Sequence, residues 1–327
     1  VIEQILPNLY KIEVPLPESP LKATNAYLIK GPDRDLIVDT GMNREKCAAP
    51  FLSALGELRV DLDRTDFFIT HLHADHLGLV ARLPREKSKV FFGEVESAIV
   101  TSIARQGPVR VNALRRFYLA NGFPEEELRR AEQRHPGFRY GPGRNIDFSP
   151  MKEGDILQVG DYSLRGVSTP GHSPGHMCLY DAEKKILFAG DHLLCDITPN
   201  ITRWPELENS LGAYLESLQK TYLLDVELVL PGHRSLFTDH RGRIKRLQEH
   251  HQGRLAESLS ALEDRPGTAW DVAPHITWDI RFKSWKLFPP VQKWFAVGEV
   301  IAHLNYLEAQ GTLERRKEHT NIVYKRC

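Results

Sequence analysis

The rhythm of apolar and polar positions changes several times along the chain. Residues 9–16, 25–30 and 35–39 are β-rich runs broken by Pro and Gly, and they predict strands. Between 44 and 58, Phe51, Leu52 and Leu55 fall at helical spacing. The run 66–70 predicts a short buried strand, 77–83 a helix stopped by Pro84, and 89–92 another strand. From 99 to 148 helical patterns dominate, over 109–120 and 125–134, punctuated by Gly107-Pro108, Gly122, Pro136-Gly137 and Gly141-Pro142-Gly143. Strands resume at 156–159, 163–168, 177–180 and 185–188. Residues 206–223 predict a helix with Leu207, Leu211, Tyr214, Leu215 and Leu218 on one face; a strand at 227–230 and a long helix at 244–262 follow. Two batches of strands, each followed by helices, suit two sheets packed face to face with helices outside, better than one doubly wound sheet.

Arg265-Pro266-Gly267 marks a boundary. The expected organisation is a large domain over 1–265, with a helical insert at about 99–148, and a small domain over 266–327. In the latter, 296–309 predicts a helix, with 313–316 and 321–324 as a two-stranded wing.

Composition narrows the class. Of 327 residues, 41% are hydrophobic and 26% charged, which is the make-up of a globular protein and excludes a disordered or fibrous chain. Lys plus Arg and Asp plus Glu both number 43, so no whole-chain field favours nucleic acid or a membrane surface. Cys47, Cys178, Cys195 and Cys327 are scattered without a C-x-x-C pair, which argues against a disulfide framework and a cysteine-based zinc site. The N-terminus carries charge early, and no stretch approaches the roughly 20 apolar residues of a membrane span. The expectation is a soluble, cytoplasmic protein.

The chemistry concentrates in histidines. Thr70-His71-Leu72-His73-Ala74-Asp75-His76 places three imidazoles and a carboxylate after a buried strand and before a helix. Imidazole and carboxylate are ligands that zinc, iron and manganese accept. His71 and His73 can face one way while Asp75 and His76 begin the helix and face a second ion. Three further candidates sit at strand ends, each reached through a glycine: Pro170-Gly171-His172, Ala189-Gly190-Asp191 and Pro231-Gly232-His233. Glycine there lets the backbone turn sharply toward a shared site.

In kind and order, His71, His73, Asp75, His76, His172, Asp191 and His233 resemble the metal-ligand pattern of the metallo-β-lactamase superfamily, over roughly residues 5–240. The resemblance implies an α/β fold, the αββα sandwich, with a two-metal site at the sheet edge. It implies that His71, His73 and His172 hold one ion, that Asp75, His76 and His233 hold the other, and that Asp191 bridges them. Asp39 of Asp39-Thr40-Gly41 resembles the family's early aspartate, which supports a ligand histidine from behind. A bridging carboxylate and the lack of a signal segment fit the branch of glyoxalase II, lactonases and ribonuclease-like members better than the secreted β-lactamases. The tail is similar to the winged-helix appendage of members such as β-lactamase-like protein 2.

The implied function is hydrolysis of an ester, thioester or lactone through a metal-bridging hydroxide, with two divalent ions, zinc ahead of iron or manganese. Asp75 is the expected proton acceptor and His192 a candidate acid, while His176 is expected to pack or hydrogen-bond. The alternatives are a metal-dependent endoribonuclease and a di-iron oxidoreductase, although no flavodoxin-like domain accompanies the ligands. Between 105 and 144 nine arginines face four glutamates with no lysine, which points to an anionic small-molecule substrate. Arg115, Arg116 and Tyr118 are the candidate contacts. In the tail, nine basic residues against six acidic ones leave a weak charge, so nucleic acid is not favoured there. Trp270, Trp278, Trp285 and Trp294 read as core or interface anchors, and a homodimer is possible.

Overall fold

Alternation of side-chain faces builds the first sheet. The computed structural model describes residues 1–279 and 284–327; Arg281 and Lys283, which enter the tail's charge, lie outside the described residues. Strands β1 (Ile2–Leu6), β2 (Leu9–Pro15), β3 (Ala23–Ile29) and β4 (Asp35–Val38) form an antiparallel meander. Helix α1 (Glu45–Glu57) then crosses back, so β5 (Thr65–Ile69) pairs with β4 in parallel. After the single turn of α2 (Ala74–Leu77), β6 (Val90–Gly93) joins β5 in parallel. Three helices follow: α3 (Glu94–Ala120), α4 (Glu125–Glu132) and α5 (Pro136–Tyr140). The chain returns as β7 (Ser149–Met151), parallel to β6.

The second sheet runs β12-β11-β10-β9-β8. Its strands are β8 (Ile156–Val159), β9 (Tyr162–Ser168), β10 (Met177–Asp181), β11 (Ile186–Gly190) and, after α6 (Ser210–Tyr222), β12 (Leu228–Pro231). Helix α7 (His240–Ser260), α8 (Ala269–Val272), α9 (Pro290–Ala309) and the hairpin β13 (Leu313–Glu318)–β14 (Asn321–Arg326) complete the chain.

Three apolar layers separate these elements. Tyr27, Ile29 and Phe68 meet Leu179, Ile186 and Phe188 between the sheets. On the outer face of the first sheet, Ala26, Leu28 and Ile37 pack on Phe51 and Leu55 of α1. On the outer face of the second, Leu187 and Ala189 pack with Leu211, Tyr214 and Leu247 from the helices. Strand β11 is buried at every position because its side chains alternate between two of these layers. The molecule is therefore the expected αββα sandwich, with helical insertions and a small C-terminal extension. Among the described residues, no helix is long and apolar enough to cross a membrane. The four cysteines are free.

The predicted elements shift in places. Strands β1 and β7 were not expected. The punctuation at Gly107-Pro108 is a kink, with Gln106 out of helical geometry (φ −127°), inside a helix that runs on from Glu94. Proline removes a backbone donor and crowds the preceding turn, and here the surrounding helix absorbs the break. Residues 77–83 give only α2 and a 3₁₀ turn, Gly78–Ala81. The 206–223 and 244–262 helices begin at Ser210 and His240, where Asn209 and Asp239 accept backbone N–H groups as N-caps.

Candidate metal centre

All seven predicted ligands meet at one edge of the sandwich. His71 follows β5; His73 precedes α2, which carries Asp75 and His76; His172, Asp191 and His233 follow β9, β11 and β12. The three glycines that precede the later ligands act in two ways. Gly171 (φ +143°) and Gly190 (φ +48°) occupy backbone conformations that side chains disfavour. Gly232 has no such torsion; it is needed because a Cβ there would lie 2.5 Å from Asp191 Oδ1.

The ring nitrogens converge in two groups. His71 Nε2 and His172 Nε2 each lie 2.9 Å from His73 Nδ1. Nearby, His76 Nε2 is 3.3 Å from His233 Nε2, which is 3.4 Å from Asp75 Oδ2. Asp191 stands between the groups. Its Oδ2 is 3.5 Å from both His172 Nε2 and His233 Nε2, and its Oδ1 is 3.5 Å from His76 Nε2. Asp191 Oδ1 is buried and has no hydrogen-bond partner, which fits an oxygen meant for a cation. The groups His71–His73–His172, His71–His76–Asp191 and Asp75–His76–His233 each gather their donor atoms within 4.8 Å. The donor set therefore fits two divalent ions.

Burial divides the two groups electrostatically. It lowers the pKa of His71 well below the usual range, and with His172 alongside it takes His73 down to about 3. Three neutral imidazoles result, the form that ligates. In the second group burial also opposes protonation, but Asp39 and Asp191 outweigh it and raise His76 well above its ordinary value. Asp191 and Asp75 likewise push His233 up to about 10.

A surrounding set of hydrogen bonds aims the rings. Asp39 Oδ2 is 2.8 Å from His76 Nδ1, and Asp39 also accepts from the N–H and hydroxyl of Thr70. Thr70 Oγ1 in turn lies 3.0 Å from His71 Nδ1, so one carboxylate steadies a histidine of each group. His233 Nδ1 donates to Ala23 O at 2.7 Å and His172 Nδ1 to Asn200 O at 2.8 Å. His176 Nε2 accepts the backbone N–H of Asp191, a hydrogen-bonding role of the expected kind.

Sequence reasoning missed Glu96. This fully buried carboxylate, at the start of α3, accepts from Leu72 N at 2.8 Å and Gly175 N at 2.7 Å. It thus clips the His71–His73 loop to the His172 loop. Burial pushes its pKa up to about 7, against the hydrogen bonds it accepts. Nothing in the sequence marks it, because its partners are backbone groups. Trp204, also unforeseen, lies with its ring centroid 5.8 Å from that of His73 and donates its Nε1–H to His172 O.

Other candidate residues lie away from the ligands or are already engaged. His192 is fully buried against α6, with Nε2 3.0 Å from Thr221 Oγ1 and its backbone carbonyl accepting from Tyr214. Burial lowers its pKa to about 3, so the ring is neutral and enclosed in the helical layer. Tyr118 is core: 3% exposed, it stacks on Trp294 at 4.2 Å. Arg115 spends its fork on Glu132, at 2.9 and 2.6 Å, while Arg116 is exposed. Arg110 pairs with Glu206, and Arg129 and Arg130 with Glu126.

The comparisons agree with this geometry. A family model described as the metallo-beta-lactamase superfamily matches residues 20–233, and one for a metallo-beta-lactamase-like C-terminal domain matches 255–326. The chain is similar to the acyl-coenzyme A thioesterase MBLAC2 of Bos taurus, 27% identical over 65% of this chain and 74% of that protein. It is 26% identical to the probable metallo-hydrolase YqjP of Bacillus subtilis, over 91% of this chain and 92% of that one. Among solved structures it resembles a metallo-beta-lactamase family protein from Thermus thermophilus. There the TM-score is 0.84 and the identity 31%, over 98% and 99% of the two chains.

Proposed function

Because the chain belongs to the metallo-β-lactamase superfamily, we propose that it is a binuclear metal-dependent hydrolase of an ester or thioester bond. The observation that carries this reading is Asp191, whose two oxygens face histidines of both groups while one lacks any hydrogen bond. His71, His73 and His172 would hold one ion, Asp75, His76 and His233 the other, and Asp191 both. Zinc is the preferred ion, with iron and manganese acceptable to the same donors. Such ions polarise a carbonyl and acidify water from about 15.7 to near 7.

The protein's own groups do the rest. Asp75, like His73, is only partly buried, with a side chain 16% exposed, and is placed to take a proton from the attacking water. Asp39 and Ala23 O hold His76 and His233 in the tautomers that leave Nε2 free. Trp204 offers an apolar wall beside His73 for an acyl group.

Thioesters are favoured within the ester class. The named thioesterase relative supports this, and so does the enclosure of His192. A thiolate, with an unperturbed pKa of about 8.5, departs without help from a general acid. An anionic carrier such as coenzyme A would meet Arg116 and, in the same insert, Arg105, Arg134 and Arg144, which make no ion pair among the described residues. RNA cleavage finds less support, since α9 is buried along most of its length and presents no free face for a groove. We read 1–265 as the catalytic domain and 266–327 as a winged-helix-like domain that packs on it.

The test is a panel of acyl-coenzyme A esters, S-lactoylglutathione, lactones and single-stranded RNA, with Asp75→Asn alongside. Thioester turnover that depends on metal and falls about 10²–10⁴-fold in Asp75→Asn is the expected outcome. RNA cleavage without acyl turnover would overturn the substrate assignment.

A further inference from the structure

The ligand histidines whose second ring nitrogen is engaged are steadied from two sides of the molecule. For His71 and His76 the support is Thr70 and Asp39, and for His233 it is Ala23 O, all within the first sheet's end of the molecule. His172 differs. Its Nδ1–H donates to the carbonyl of Asn200, which sits in the loop between β11 and α6. A loop carbonyl orients a ring only if the loop itself is held.

The Asn200 side chain is held by the C-terminal helix. Asn200 Nδ2 donates to Glu299 Oε2 at 2.7 Å, and the other carboxylate oxygen of Glu299 accepts from Arg254 Nη1 of α7 at 2.5 Å. Arg254 is in turn fixed by Thr277 O at 3.0 Å and by the ring of Trp278, 4.3 Å from its guanidinium carbon. Both side chains of the pair are 7% exposed. Burying an ion pair costs desolvation that a well-packed apolar pair would avoid, so its stability value is small. What the pair does supply is direction: Glu299 presents one oxygen to Asn200 at a fixed place.

We propose that Glu299 is a positioning residue for the first ion's ligand group, acting through Asn200 on the orientation of His172. The C-terminal segment is thereby part of the metal centre's support, although it contributes no ligand. This rests on the assignment of His71, His73 and His172 as one ion's ligands.

The experiment uses the full chain, stripped of metal by a chelator and titrated with Co²⁺ and Zn²⁺ against a chromophoric competitor. Wild type, Glu299→Ala and Asn200→Ala are compared, with the cobalt absorption spectrum recorded for each. Loss of an outer hydrogen-bond partner typically weakens metal binding about 10–100-fold. We expect that weakening for one ion only, with an altered cobalt spectrum and with the second ion's affinity unchanged. Asn200→Ala leaves the Glu299–Arg254 pair intact, so it decides the question should Glu299→Ala fail to fold. A folded Asn200→Ala protein that binds both ions as wild type does, with the same spectrum, overturns the proposal. Equal weakening of both ions would also overturn it, by making the role merely structural. Failure of wild type itself to take up two ions would instead sink the metal assignment on which it rests.

Discussion

At the scale of single residues, charge at the site has a measurable signature. Without metal, Asp75, Asp191 and Asp39 offset burial and raise the pKa of both His76 and His233, that of His233 to about 10. A ligand imidazole must be neutral, so metal uptake by the second group should release at least the proton of His233 at pH 7. Calorimetry in buffers of different ionisation enthalpy reads that release, and affinity should climb as pH rises toward about 10. Release near zero would contradict the raised pKa of His233. Glu96 offers a second test. Glu96→Ala strands the buried N–H of Gly175, at on the order of 1–3 kcal/mol, and the part-buried N–H of Leu72, at less. Chemical denaturation should show that loss.

Legibility at this scale followed chemistry. The ligands announced themselves because imidazoles and carboxylates recur after strands at glycine turns, and Asp39 because it stands in a recognisable turn. Glu96 and Asn200 left no trace, because their roles depend on backbone atoms brought together only by the fold. His192 misled for the opposite reason: it neighbours Asp191 in sequence but turns into the helical layer.

Among the elements, the strands of both sheets and most helices could be read from periodicity, while β1, β7 and the kinked α3 could not. Three-residue β7 is too short to show alternation, and β1 carries polar residues at a sheet edge. The insert also separates arginines that look alike in sequence. Arg115 is bound to Glu132, whereas Arg116 projects to solvent. Arg116→Ala should therefore raise KM for an acyl-coenzyme A several-fold, on the order of 1 kcal/mol, and leave kcat unchanged. Steady-state kinetics at two salt concentrations checks this, since an exposed charge contact weakens with ionic strength.

In the whole molecule, the insert and the tail close on each other. Trp294 of α9 stacks on Tyr118 of α3, and Lys293 pairs with Glu127 of α4. Trp294→Ala should lower stability by about 3–5 kcal/mol, seen as a shifted denaturation midpoint. The ions matter at this scale too, because His71 and His73 follow the first sheet and His172 the second. Each ion at a thousand times its dissociation constant would add about 4.1 kcal/mol to folding, so chelation should lower Tm reversibly.

That same distribution of ligands sets a timetable for biosynthesis. His76 and His233 stand 157 residues apart. At about 5–20 residues per second, a ribosome needs roughly 8–30 s to travel between them. During that interval the nascent chain displays a histidine-rich loop whose set of ligands is still incomplete, and Glu299, which holds the side chain of Asn200, is unmade throughout. The full set of candidate ligands thus exists only once His233 has been made, and its support from α9 only once Glu299 has followed.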